Sequence, residues 1–231
     1  MKKWLYLLIV LTGLVSCKKK GCTDSTATNY NSSAKKDNGS CNYLLTDVDG
    51  NSYHAKAIGN QVWMTENLKV KKYRNGDIIP QVQDNLEWGQ LTTGAWCYYE
   101  NDPSKGILYN WFAVNDPRGL APSGYHVPQD AEWTTLEIFL GIDAGKKMKS
   151  TNGWVGLDNG SNTSGFNGLP SGCCNFDGTF SGIDIVGYWW SSTERITSNA
   201  CYRGLSYFND IVNGYNGAKK QVGFSVRCLR D

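Results

Sequence analysis

Two histidines, eight cysteines and a scatter of carboxylates are the groups of this chain with chemistry to offer. Adjacent Cys173-Cys174 looks the most reactive, because a thiolate with a depressed pKa is a strong nucleophile. No Cys-x-x-Cys redox spacing occurs anywhere in the sequence. His54 and His126 are far apart, and neither belongs to a His-x-x-x-His metal spacing. His126, between Tyr125 and Val127 and ahead of Pro128, reads as a packed strand residue and not as a general base. Glu66, Glu132 and Glu194 fall in separate segments, so no glycosidase pair of carboxylates can be assigned. The expectation is binding without catalysis, with no metal and no cofactor.

A different chemistry is written at the start of the chain. Lys2 and Lys3 precede a short apolar run, Trp4 to Leu14, and Leu14-Val15-Ser16-Cys17 follows. The run is shorter than the roughly 20 residues a membrane-crossing helix needs. It has the parts of a secretory signal, residues 1–16, and small Ser16 before Cys17 resembles a bacterial lipoprotein processing site. Acylation of Cys17 would tether the exported chain to the cell envelope, since each buried methylene contributes about 0.8 kcal/mol. The membrane is then one partner, through the anchor.

The whole chain has 23 basic and 21 acidic side chains, and removal of Lys2 and Lys3 with the signal leaves 21 of each. No basic field of the kind nucleic-acid binding requires remains. Lys18, Lys19, Lys20, Lys35 and Lys36 cluster near the anchor, where they read as a solvated juxtamembrane spacer. Residues 17–43 are polar and cannot build a core alone. Cys22 and Cys41 bracket a small loop that a disulfide would close, and Asp24, Asn31, Asp37 and Asn38 read as turn formers before they read as calcium ligands. Seven cysteines besides Cys17 enter a compartment where disulfides persist, so at least one thiol stays free or pairs outside the chain.

The candidate binding surface lies between Thr197 and Lys220, where Tyr202, Arg203, Ser206, Tyr207, Asn209, Asn213, Tyr215 and Asn216 crowd together. Tyrosine gives contact area at low entropic cost, and Ser and Asn give adaptable hydrogen bonds. An ordinary Gly/Asn-rich hairpin is the competing account of the same residues.

The elements that must position this ribbon are mostly strands and loops. Thr46 to Tyr53 reads as strand, tight turn and strand, and Ile58 to Met64 as a further hairpin strand. Trp133, Leu136 and Leu140 share one face of a helix opening at Asp130 and ending at Gly141, with a shorter helical turn over residues 145–150. Gln221 to Leu229 alternates, with Val222, Phe224, Val226 and Cys228 on one side and Gly223, Ser225 and Arg227 on the other, which predicts a half-buried strand. Arg227 and Glu194 are a candidate internal ion pair. Trp63, Trp111, Trp133, Trp189 and Trp190 are candidate core.

Several segments in order resemble the Fibrobacter succinogenes major paralogous domain, a family of secreted bacterial domains. They include Ile58-Gly59-Asn60-Gln61-Val62-Trp63-Met64-Thr65-Glu66-Asn67-Leu68, Leu108-Tyr109-Asn110-Trp111 and Pro122-Ser123-Gly124-Tyr125-His126-Val127-Pro128. They continue with Gly165-Phe166-Asn167-Gly168-Leu169-Pro170, Tyr188-Trp189-Trp190-Ser191-Ser192-Thr193-Glu194 and Gly223-Phe224-Ser225-Val226-Arg227-Cys228. Gln129 departs from the family's serine at the helix cap, a role Asp130 is expected to assume one residue on. The resemblance implies an α+β, C-type-lectin-like fold, two helices with a mixed, loop-rich β core, over residues 44–231. The Glu-Pro-Asn or Gln-Pro-Asp and Trp-Asn-Asp tripeptides of calcium-dependent lectins are absent. C-type-lectin-like proteins diversified by retroelements vary a comparable C-terminal region. Cys173 or Cys174 is expected to join Cys201, and Cys97 to join Cys228, with connectivity open.

The reading is a lipid-anchored envelope protein that recognises a protein or glycan. A cysteine-dependent enzyme akin to formylglycine-generating domains, or a structural adhesion component, are the alternatives.

Overall fold

The computed structural model describes residues 19–156 and 159–231, with backbone alone at Tyr215 and Asn216; the expected signal and Cys17 lie outside the described residues.

The polar N-terminal segment closes through short-range turns. Asp24, Asn31, Asp37 and Asn38 each accept the backbone N–H two residues on, at 2.9, 3.1, 2.6 and 3.1 Å. These oxygens are turn acceptors. Strands β1 (Lys20–Gly21) and β2 (Lys36–Asp37) pair in parallel, and the Cys22–Cys41 disulfide is formed. Having too little apolar surface of its own, the segment buries Cys22, Ala27 and Cys41 in the core that holds Tyr53, Met64 and Val226. Asp24 accepts the Tyr43 hydroxyl at 2.8 Å and meets Arg230 at 3.3 Å, so the module is docked and not merely strung before the domain.

A hairpin of β3 (Asn42–Thr46) and β4 (Ser52–Ile58) follows. Its turn is held by the Asp47 carboxylate, which accepts from the N–H groups of Asp49 and Asn51 and the hydroxyl of Tyr53. Strand β5 (Gln61–Met64) returns along β4. Two one-turn helices, α1 (Asn85–Gly89) and α2 (Trp111–Val114), start where Asp84 and Asn110 cap the N–H groups of Glu87 and Ala113. Between them β6 (Trp96–Tyr98) and β7 (Ile107–Tyr109) form a ribbon. After β8 (Tyr125–His126) comes α3 (Asp130–Leu140), which buries Trp133, Leu136 and Leu140 as their spacing requires, and then α4 (Ala144–Met148). The cap of α3 stays at Gln129, whose N–H donates to Glu132 at 2.8 Å. Asp130 is drawn instead into an ion pair with Arg203.

The C-terminal half supplies β9 (Ser171–Cys174), β10 (Phe180–Ile183), β11 (Val186–Ile196), β12 (Asn199–Ser206), β13 (Asn213–Lys219) and β14 (Leu229–Arg230). One five-stranded sheet runs β3-β4-β5-β14-β8 and another β10-β9-β11-β12-β13. The fold is α+β and mostly sheet. Among the described residues four helices form where two were expected, because α1 and α2 are set by caps and are too short to leave a periodic signal. No helix among them is long and apolar enough to cross a membrane.

The segment before β14 corrects the expectation of a half-buried strand. Gly223 bridges to Cys174, Phe224 to Tyr109 and Ser225 to Trp189, and β14 then lies between β5 and β8. Joining both sheets, residues 223–229 are buried on both faces. Arg227 is among them, and its guanidinium donates to the carbonyls of Met64 and Phe166 and to Asn67 Oδ1. It does not meet Glu194, which pairs with Lys220 at 2.7 Å. Burial, only partly offset by the charge of Glu66, holds the Arg227 pKa down to about 9.

Candidate functional site

The ribbon singled out by sequence is β12, β13 and the loop between them. Strand β12 sits between β11 and β13, and each of its residues is buried or half-buried. Its polar residues are therefore interior, contrary to the expected display. The Tyr202 ring packs 4.9 Å from Phe224, 5.6 Å from Tyr188 and 6.3 Å from Trp190. Arg203 is buried beneath α3, where its guanidinium meets the carboxylates of Asp130 and Glu137 and donates to Thr134 Oγ1 at 3.1 Å. Burial opposes its charge, but the two carboxylates outweigh that and hold its pKa above the ordinary value. Ser206 is also buried. These three residues pack the domain.

The loop is presented. Lys149, almost wholly buried, donates to the carbonyl oxygens of Ser206 at 3.2 Å and Asn209 at 3.0 Å, and lies 3.4 Å from Asp210. The N–H of Lys146 donates to the Asp210 carbonyl, and that of Tyr207 to Ile185. Gly145 lies so close beneath the loop that a Cβ there would fall 2.4 Å from the Ile211 oxygen, a contact only glycine allows. Tyr207 is half-buried against the Trp133 cluster, and Asn209 accepts the Ile211 N–H. Asn213, half-buried, begins β13 opposite Gly204; Tyr215 pairs with Tyr202 along the backbone, and Asn216 follows it on the same edge strand.

What this scaffold leaves outside is apolar. Ile142 is 94% exposed, Ile138 77%, Phe208 68% and Ile211 52%. Ile138, Ile142, Ile211 and Val212 line one shallow, open cleft with Glu137, Gly141 and Ala144. Glu137 lines it, and two ion pairs lie in the adjoining segments: Lys147 with Asp143 at 2.5 Å, and Lys146 with Asp210 at 4.0 Å. Sequence reasoning chose polar residues and passed over these. The signal was there, since Ile138 falls off the Trp133-Leu136-Leu140 face and Ile142 follows the Gly141 stop.

The other chemical groups are dispersed. His54 is exposed beside Glu66 at 2.8 Å. His126 is held between Asp231 at 2.7 Å and Glu132 at 3.0 Å. Among the described residues no group of three His, Cys, Asp or Glu is arranged to hold a metal. Cys97, Cys173, Cys174, Cys201 and Cys228 are buried thiols, so the expected bridges to Cys201 and between Cys97 and Cys228 are not formed. Cys228 belongs to the core beneath β4 and β5, whereas Cys97 lies in a separate cluster with Cys174. Burial pushes the Cys173 and Cys201 thiols up and takes Cys228 to about 12.

The family model of the Fibrobacter succinogenes major domain matches residues 57–230. No curated protein and no solved structure matches the chain.

Proposed function

The chain belongs to the Fibrobacter succinogenes major domain family, and from that premise we propose a lipid-anchored, cell-envelope recognition protein that binds a protein ligand without catalysis. Its binding surface is the cleft between the end of α3 and the β12–β13 loop, on a C-type-lectin-like scaffold. One observation carries this: aliphatic side chains as exposed as Ile142 and Ile138 share a cleft with Ile211 and Glu137, with ion pairs in the adjoining segments. An apolar centre with a polar rim is the anatomy of a protein interface, and exposed patches of this kind mark contact sites. Aliphatic isoleucines offer a sugar no flat ring to stack on, which favours protein over glycan.

Against the thiol-enzyme alternative stands the cysteine chemistry. A nucleophile needs a lowered pKa, and burial drives Cys173 the other way. A second reading, contact with the bilayer itself, is favoured by the cleft that Phe139 and Lys147 share with Asn38 and Gly39 of the anchored module.

The test is an array of envelope proteins and glycans, with anionic phospholipid vesicles alongside, probed with the purified protein and an Ile142→Asp/Ile211→Asp variant. Protein binding lost in the variant supports the proposal. Vesicle binding kept in that variant but lost in Phe139→Asp supports the second reading, and glycan binding indifferent to both variants rejects both.

A further inference from the structure

The packing around Gly223 brings two cysteines together. Cys97 stands directly across from Leu108 in the β6–β7 ribbon. Gly223 exchanges both backbone hydrogen bonds with Cys174, at 2.8 and 3.1 Å. A Cβ built on Gly223 would lie 3.0 Å from the Cys174 Cβ and 3.4 Å from that of Leu108, so the glycine lets these strands close up. Cys97, Cys174, Leu108 and Trp88 thus share one small buried cluster. Within it burial pushes the Cys97 thiol far above the ordinary range, and the neighbouring Cys174 thiol pushes it the same way.

The adjacent Cys173 has a different neighbourhood. Successive strand residues point to opposite faces, and Cys173 packs into the main core with its sulfur 3.4 Å from Ser181 Oγ. The pleat of β9 therefore selects which of the two neighbouring cysteines faces Cys97.

We infer that Cys97 and Cys174 form a second disulfide in the oxidised protein, while Cys173, Cys201 and Cys228 remain thiols. The oxidant is an exchangeable disulfide, either a small molecule such as oxidised glutathione or a disulfide-carrying oxidase. One cysteine thiolate attacks it and expels a thiolate. The second cysteine thiolate then attacks the mixed disulfide and expels the other. The two protons lost from Cys97 and Cys174 end on the two released thiols, and the oxidant takes up the two electrons. Because both sulfurs are buried, exchange belongs to the folding chain, and the finished bridge is shielded from reductant. Formation in the cell rests on the export proposed above, whereas the pairing itself rests on geometry alone.

The experiment is non-reducing peptide mapping of denatured, alkylated protein. It is run on the exported protein, on protein held in the reducing cytosol, and on the latter refolded with oxidised and reduced glutathione. A peptide containing Cys97 linked to one containing Cys173 and Cys174 is expected after refolding, persisting in Cys173→Ser and missing in Cys174→Ser. Without denaturant, dithiothreitol leaves it intact; with denaturant it is cleaved. Reducing it lowers the melting temperature by about 10 °C, the scale expected for a long closed loop in a domain of this size. Full alkylation of Cys97 and Cys174 after refolding, or a Cys97–Cys228 or Cys173–Cys201 link in their place, overturns the inference. A bridge that forms on refolding but not in the exported protein fails the export reading alone.

Discussion

The ammonium of Lys149 lies 3.0 Å from the carbonyl oxygen of Asn209, with the Ser206 carbonyl 3.2 Å away. A single buried cation thereby fastens the β12–β13 loop to the end of α4, and the loop's outward residues are fixed by what holds its backbone from beneath. Lys149→Met takes the charged donor away from both carbonyls. It is expected to cost about 2–4 kcal/mol of stability in denaturant unfolding, since buried acceptors lose a charged partner. Amide exchange from Tyr207 to Val212 should rise while that of β4 and β5 does not. Unchanged exchange in the loop contradicts the tether.

Arg203 gives the sharpest contrast between a packing role and a ligand contact. Removing it strands the Asp130 and Glu137 carboxylates against the domain. Arg203→Ala should destabilise by about 1–3 kcal/mol, less than for a fully buried pair because the carboxylates left behind, Asp130 at 37% and Glu137 at 27% exposure, can be reached by water. Arg203→Lys should recover only part of this, because an ammonium cannot span both carboxylates as the guanidinium does. A variant that melts like the wild type refutes the buried anchor.

His126 makes stability depend on pH. Burial of the ring opposes its charge, but hydrogen bonds with Asp231 and Glu132 prevail, and its pKa is raised above 6.5. A group raised on folding contributes stability that is fully present below its unfolded pKa of about 6.5 and is lost as pH rises through the folded value. Between pH 6 and 8 the wild type should therefore lose more melting temperature than His126→Gln. An NMR titration should place the His126 midpoint above the 6.5 of an ordinary imidazole. Equal slopes of melting temperature for the two proteins would remove the clamp.

Cys17 is expected to carry acyl chains. The wild type should incorporate labelled palmitate and sediment with membranes, and Cys17→Ser should do neither, because one loosely held apolar patch cannot replace two or more chains. Membrane sedimentation unaffected by Cys17→Ser would sink the anchor.

Much of this architecture was legible in local pattern. Helix α3 was, since Trp133, Leu136 and Leu140 repeat at helical spacing and are buried. So were the Asp47 turn and the Cys22–Cys41 bridge, which depend on residues close in sequence. The ribbon misled because its polarity is satisfied from far away. Arg203 is neutralised by residues 66 and 73 positions earlier, and no window around Tyr202 reveals Phe224 against its ring. Residues 223–229 alternated like a half-buried strand, yet Arg227 is buried on carbonyls and an amide from Met64, Asn67 and Phe166. The apolar cleft was missed for the opposite reason. Ile138 and Ile142 are ordinary in composition, and only their position outside the buried face of α3 marks them.

The central claim, that the Ile138, Ile142 and Ile211 cleft is the recognition surface, is tested most directly by affinity for the array-identified protein ligand. Wild type and Ile142→Asp/Ile211→Asp are to be compared by calorimetry at matched melting temperature. The account predicts at least about a 30-fold loss, on the order of 2 kcal/mol, since charge would replace two apolar anchors at the centre of the contact. Affinity unchanged in the variant, with the fold intact, would contradict it.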